Sequence, residues 1–218
     1  MKVLSGISVL ALLIAGAATP SFATSLTPGH VVVPNVVSGS ANILADTGVI
    51  NFSFGSPADV GTVQEVVVSG FTASPFANDI SFIYQITVSG GNIDNLTTES
   101  FAITGISIDV QQANEGIYGA PFPTTAAATA SLTSDGTTLG FGFTPPDGLT
   151  PGDVSYLLII NTNMTTYQPG LFSLQDGQTQ NFAGYVPGAP TPEPSTLSLL
   201  GTGLLAAGAG LRRKMRRA

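Results

Sequence analysis

The sequence predicts an all-β protein: an antiparallel β-sandwich, immunoglobulin-like or jelly-roll in type, with targeting segments at its two ends. Short β-branched and aromatic runs recur along the chain, and 26 Gly and 15 Pro among 218 residues supply turns between them. Several runs alternate with period two: Phe82, Tyr84, Ile86 and Val88 share one face, as do Ile106 and Ile108. No stretch of the interior sustains a 3.6-residue apolar period, so helices have no claim on it.

In chain order, strands are expected near 31–37, 48–54, 62–69, 80–89, 102–110, 126–133, 137–143, 154–161, 170–175 and 179–185. Asp135-Gly136 and Asp176-Gly177 each separate two such runs, and are read as two-residue turns in which glycine supplies positive φ. Residues 24–186 are long enough for one well-buried core. Residues 187–191, Pro-Gly-Ala-Pro-Thr, read as a linker with no means of packing.

The placement of charge narrows function. Six Lys and Arg stand against thirteen Asp and Glu, a net charge of -7, and no Lys or Arg occurs between Val3 and Leu211. The body therefore has carboxylates without cationic side chains. It has nothing with which to neutralise phosphates, which excludes nucleic acid as a partner. With no Cys there is no disulfide framework and no thiolate chemistry.

Both ends read as addresses. Lys2 precedes an apolar run over 3–18, Thr19-Pro20 breaks it, and Ser21-Phe22-Ala23 places small residues before a cleavage point. That is the pattern of a secretory signal peptide over residues 1–23, cut between Ala23 and Thr24. At the other end, Pro192-Glu193-Pro194-Ser195-Thr196 precedes an apolar stretch, 197–211, and then Arg212, Arg213, Lys214, Arg216 and Arg217. Fifteen helical residues rise about 22 Å, short of a hydrocarbon core of roughly 30 Å. The basic cluster would stay cytoplasmic and leave the body on the far side of the inner membrane.

In Pro192, Glu193 and Pro194, the Gly-containing apolar helix and the terminal basic cluster, residues 192–218 closely resemble the PEP-CTERM sorting signal. The resemblance implies handling by an exosortase, a membrane protease, near Pro-Glu-Pro, and then release to the cell surface. The body is similar to secreted PEP-CTERM proteins of unassigned function in three strings: Asn78-Asp79-Ile80-Ser81-Phe82-Ile83-Tyr84-Gln85, Asn161-Thr162-Asn163 and Ala183-Gly184-Tyr185. These add no activity, because a sorting signal is grafted onto many unrelated domains.

The search for chemistry mostly returns absences. The lone histidine, His30, stands beside Pro28 and Gly29 and reads as a surface-loop residue rather than a triad base. No G-x-S-x-G, Walker loop or H-E-x-x-H occurs. Calcium is the one metal this inventory suits, with Asn92-Ile93-Asp94-Asn95 and Asn78-Asp79 as candidate loops, but no D-x-D-x-D-G spacing appears and Asx turns are the better reading. Tyr84, Tyr118, Tyr156, Tyr167 and Tyr185 fall largely on strands or at their ends, as core or face residues.

The expectation is an exported, non-enzymatic protein without a cofactor. It is anchored transiently in the inner membrane, processed by an exosortase-type protease, and active at the cell surface or in a biofilm matrix with exopolysaccharide as a partner. The alternative is a calcium- or glycan-binding adhesion module with the same address. Mutual repulsion of unpaired acids is expected to raise folded pKa values and favour folding at low pH.

Overall fold

The structure, a computed structural model, describes residues 24–76, 79–117, 122–144 and 148–188, together with the backbone of Ala11–Leu12. One sheet sets β4 (Ala41–Asp46), β6 (Asp59–Ser69), β7 (Ile80–Gly90), β12 (Leu157–Thr162), β9 (Ile108–Ala113) and β3 (Asn35–Val36) side by side. The short β1 (Ala11–Leu12) lies outside β4, and β5 (Ile50–Phe54) pairs with the first half of β6. The second sheet runs β14 (Gln178–Pro187), β13 (Tyr167–Asp176), β8 (Asn95–Thr98), β11 (Leu139–Gly142), β10 (Thr129–Leu132) and β2 (Val31–Val32).

The layer between the sheets is the main core. Period-two alternation sends Val63 and Val67 of β6, Phe82, Tyr84 and Ile86 of β7, and Leu158 and Ile160 of β12 to one side of the first sheet. There they meet Leu96, Leu139, Phe141, Phe172 and Leu174 of the second. The architecture is thus the expected sandwich.

The far face of the first sheet is covered as well. Val66, Val68, Ile83, Leu157 and Ile159 form a second apolar cluster with Val37, Phe71 and Ile117 from the connecting segments. Every position of β9 and β12 is consequently buried. β12 reads accordingly as a nearly continuous apolar run, Leu-Leu-Ile-Ile before Asn161, whereas β9 buries Asp109, Gln111 and Gln112 among its apolar residues.

The structure corrects the expected elements in several places. The single run expected over 31–37 divides at Pro34, which can donate no ladder hydrogen bond. Its first part closes the second sheet as β2; its last part crosses to the first sheet as β3 and pairs in parallel with β9, Asn35 opposite Gln111. One sheet is therefore mixed rather than wholly antiparallel. Of the run expected over 102–110, only the part from Ile108 is a strand. Before it, Ile103 N–H bonds Phe101 O, Ile106 N–H bonds Ile103 O, and Gly105 adopts φ 81°. The strands β4 and β8 were not expected.

The Asp135-Gly136 turn is wider than two residues, closed by Thr133 N–H to Thr138 O at 3.0 Å, although Gly136 does adopt φ 72°. Pro187 ends β14, so the sheet takes the first residue of the expected linker, and just beyond it Gly188 N–H bonds Thr166 O at 2.8 Å. The unit holding both sheets ends at Gly188, and residues 189–218 form a second unit. That second unit lies outside the described residues, with the remaining linker, Pro192, Glu193, Pro194, the apolar stretch 197–211 and the basic cluster Arg212, Arg213, Lys214, Arg216 and Arg217. The expected signal peptide, including Ala23, also lies outside them except for the β1 backbone. Among the described residues, no helix is long and apolar enough to cross a membrane.

Candidate functional site

Three polar groupings interrupt this apolar sandwich. The first joins the two sheets at the strand that leads to the C-terminal segment. Alternation on β6 places Glu65 on the inward face with Val63 and Val67, and its side chain is fully buried. Its Oε2 accepts the backbone N–H of Tyr185 on β14 at 2.9 Å. Across the β13–β14 ladder Tyr185 faces Pro169, which has no N–H of its own, so the two cannot exchange a pair of ladder bonds. The other carboxyl oxygen, Oε1, has no hydrogen-bond partner among the described residues. Burial pushes the Glu65 carboxyl up to about 7, against the Tyr185 N–H and the Tyr84 hydroxyl. Tyr84 in turn is raised by its own burial and by the charge of Glu65. A carboxyl poised near neutrality beside a phenol has the makings of an acid–base pair. Both side chains are fully buried, and the bond from Tyr185 N–H to Glu65 ties β14 to the first sheet.

The second grouping lies on the far face of the first sheet, beside the smaller cluster. Asn161 Oδ1 accepts Ser81 Oγ–H at 2.6 Å, while Asn161 Nδ2 donates to Asp109 Oδ2 at 2.9 Å and to Gln111 Oε1 at 3.1 Å. Gln111 Nε2 continues to the Ala73 carbonyl at 3.0 Å. Nearby in sequence, Asp79 is buried and accepts the Ser74 hydroxyl. Burial raises both Asp79 and Asp109 above the usual carboxylate range, with hydroxyl and amide donors opposing it.

The third grouping is acidic. Asp59 and Asp94 are raised first by burial and then by the charge of Asp176. Asp59 Oδ1 accepts the Asn92 N–H at 3.0 Å. Asp176 lies within side-chain hydrogen-bond reach of both Asp59 and Asp94, so the three carboxyl groups share one patch. Among the described residues no three His, Cys, Asp or Glu side chains are placed to hold a metal ion. A cleft of about 300 Å³ opens at the end of the sandwich, floored by Leu26, Phe101, Ile108 and Leu132 and rimmed by Ser107 and Asp135. The Asp135 carboxylate on its rim is occupied, accepting both the N–H and the hydroxyl of Thr137.

Beyond this body, comparison with known families is decisive. Residues 190–214 match the PEP-CTERM protein-sorting motif. The chain carries a PEP-CTERM sorting signal. Pro192, Glu193, Pro194, the apolar stretch and Arg212, Arg213 and Lys214 fall inside the match, and Arg216 and Arg217 follow it. A PEP-CTERM signal implies export, transient membrane anchoring, and processing by an exosortase-type membrane protein. Neither a curated protein nor a solved structure matches the chain.

Of the other residues singled out in the sequence, Thr24 opens the first paired segment, where its carbonyl accepts the Val110 N–H at 3.1 Å. His30 is exposed and contributes only backbone bonds, to Thr27 and Leu132. Tyr84 is core, and Tyr167 meets Tyr185 edge-on at 5.4 Å. Residues of the three strings singled out in the body's sequence meet in these polar groupings: Ser81 meets Asn161, while Tyr84 and Tyr185 both meet Glu65. Sequence reasoning missed Glu65, Asp109 and Gln111. The signal for Glu65 was present, since it is an acid on the same face of a strand as Val63 and Val67.

Proposed function

We propose that this chain is an exported, non-enzymatic surface protein that an exosortase-type protease releases from the inner membrane into the cell surface layer or biofilm matrix. The observation that carries this reading is the PEP-CTERM match over 190–214, which begins three residues after the last strand of the body ends at Pro187. The N-terminal leader pattern supports it from the other end, since a body bound for exosortase must first cross the inner membrane. A body without internal Lys or Arg suits exopolysaccharide as a partner through hydrogen bonding from Thr, Asn and Gln surfaces rather than through ion pairs.

The test is the intact mass of protein recovered from the cell surface of an exosortase-bearing host. It should lack residues 1–23 and everything beyond the Pro-Glu-Pro region. Changing Pro192, Glu193 and Pro194 together to Ala should leave uncleaved protein in the inner membrane. Surface protein that retains the full sequence to Ala218 would make the C-terminal segment a plain anchor. Co-fractionation with extracellular polysaccharide, and its loss in a strain that makes none, tests the matrix role.

A further inference from the structure

Ser25 stands opposite Asp109 in an antiparallel bridge at the edge of the first sheet. The flanking bonds are Leu26 N–H to Ile108 O at 2.9 Å and Val110 N–H to Thr24 O at 3.1 Å. They make Ser25 and Asp109 a close, non-hydrogen-bonded pair. Asp109 is only 1% exposed; its Oδ2 accepts from Asn161, and its Oδ1 has no hydrogen-bond partner among the described residues. The Thr24 hydroxyl is likewise buried without a partner. Asn161 of β12 and Gln111 of β9 share one amide contact, with Ser81 of β7 behind, and none of the three carries charge or titrates. The backbone N–H of Thr24 faces the Asp109 carboxylate and opposes part of the effect of burial.

We propose that removal of residues 1–23 converts the Thr24 nitrogen into an α-ammonium that pairs with the buried carboxylate of Asp109, so that maturation itself completes this edge of the sheet. The proposal rests on the reading that the signal peptide is cut between Ala23 and Thr24. Hydrolysis of that bond consumes one water, leaving a carboxylate on Ala23 and an amine on Thr24 that takes up a proton at neutral pH. Before the cut, the Thr24 nitrogen is a neutral amide with one hydrogen to give. After it, the same atom carries a full charge and three donors. No lysine or arginine of the body could do this in its place, because none lies between Val3 and Leu211. Thr24 is half-buried, so the remaining donors reach water and the new charge is only partly desolvated.

The experiment exports the full chain in a Gram-negative host, sequences the mature N-terminus, and labels its amine by reductive methylation with ¹³C-formaldehyde. Lys2 goes with the leader, so Lys214 is the only other amine, and its resonance is recognised by titrating in the ordinary lysine range. The labelled α-amine should titrate at least about one unit above the ordinary 7.7–8.0. Asp109→Asn should return it to that range. A glycine inserted between Ala23 and Thr24, which leaves Asp109 intact, should do the same should Asp109→Asn fail to fold. A chain that starts at Thr24 with an ordinary α-amine overturns the pair alone, as does an elevated value that survives both changes. A chain that starts elsewhere overturns the cleavage reading and the pair with it.

Discussion

Glu65 Oε2 accepts the backbone N–H of Tyr185 at 2.9 Å, from the interior of one sheet to the edge strand of the other. That bond fixes the last strand of the body just before the sorting segment. It also dictates a glycine next door, since a Cβ on Gly184 would lie 2.1 Å from Glu65 Oε2 and 2.7 Å from Phe172 Cδ1.

Gly184→Ala should therefore destabilise the body by about 1–3 kcal/mol, the usual cost of forcing atoms into a filled core. Urea denaturation measures it. Because the clash is with a buried carboxyl held in place, Gly184→Ala combined with Glu65→Ala should lose less than the sum of the two single changes. Strict additivity would show that the two residues do not meet.

Asn161 holds three buried side chains at once, Ser81, Asp109 and Gln111. Asn161→Ala removes one hydrogen-bond partner from each of the three, and a loss of about 3 kcal/mol is expected from the buried groups left under-satisfied. Asn161→Asp sets a second carboxyl against Asp109, so its deficit should be larger at pH 8 than at pH 5. Equal deficits at the two pH values would refute the contact.

Ile159 and Ile160 are adjacent on β12 and both fully buried, one in each apolar cluster. Each change to Ala should cost about 2–5 kcal/mol. A loss below about 1 kcal/mol for Ile159→Ala alone would mean that the far face of the first sheet is open to water.

What the sequence made legible follows from where its information is local. The long alternating runs that became β6, β7, β13 and β14 were found within a few residues, because their period is visible in one window. Asn-Ile-Leu-Ala of β4 and Asn-Leu-Thr-Thr of β8 escaped because they are short, and their strand character comes from the neighbours they pair with. The polar groupings escaped for a deeper reason. Ser81 and Asn161 are 80 residues apart, and Glu65 and Tyr185 are 120 apart. Only the register of two sheets brings such residues together. The matched sorting motif lies within 25 consecutive residues, so it was legible from local sequence alone.

The pH response of the body follows from burial more than from mutual repulsion. Desolvation is the leading cause for each raised group: Asp59, Glu65, Asp79, Asp94, Asp109 and Glu115. A neighbouring acid contributes only for Asp59 and Asp94. With its folded value near 7 and its ordinary value 4.5, Glu65 keeps its proton in the folded state across a range where the unfolded chain has lost it. Its contribution to stability is whole below pH 4.5 and fades as pH climbs to 7. That change is on the order of 3 kcal/mol for Glu65 alone. Asp135, lowered to about 2 by Thr133 and Thr137, and Asp153, lowered by Thr150, Thr125 and Thr124, act in the opposite sense. Their contributions are lost only as pH falls below the ordinary aspartate value of 3.8, outside the range of interest. In the mature chain, the Thr24 ammonium would remove Asp109 from the raised set. The exported protein should still melt several degrees higher at pH 5 than at pH 8, and Glu65→Gln should flatten most of that difference. Added salt should raise the pH 8 melting temperature only slightly, since screening relieves the Asp176 neighbourhood and leaves desolvation untouched. A melting temperature that falls between pH 8 and pH 5 would mean that Glu65 is ionised in the folded state, held by donors stronger than Tyr185 and Tyr84.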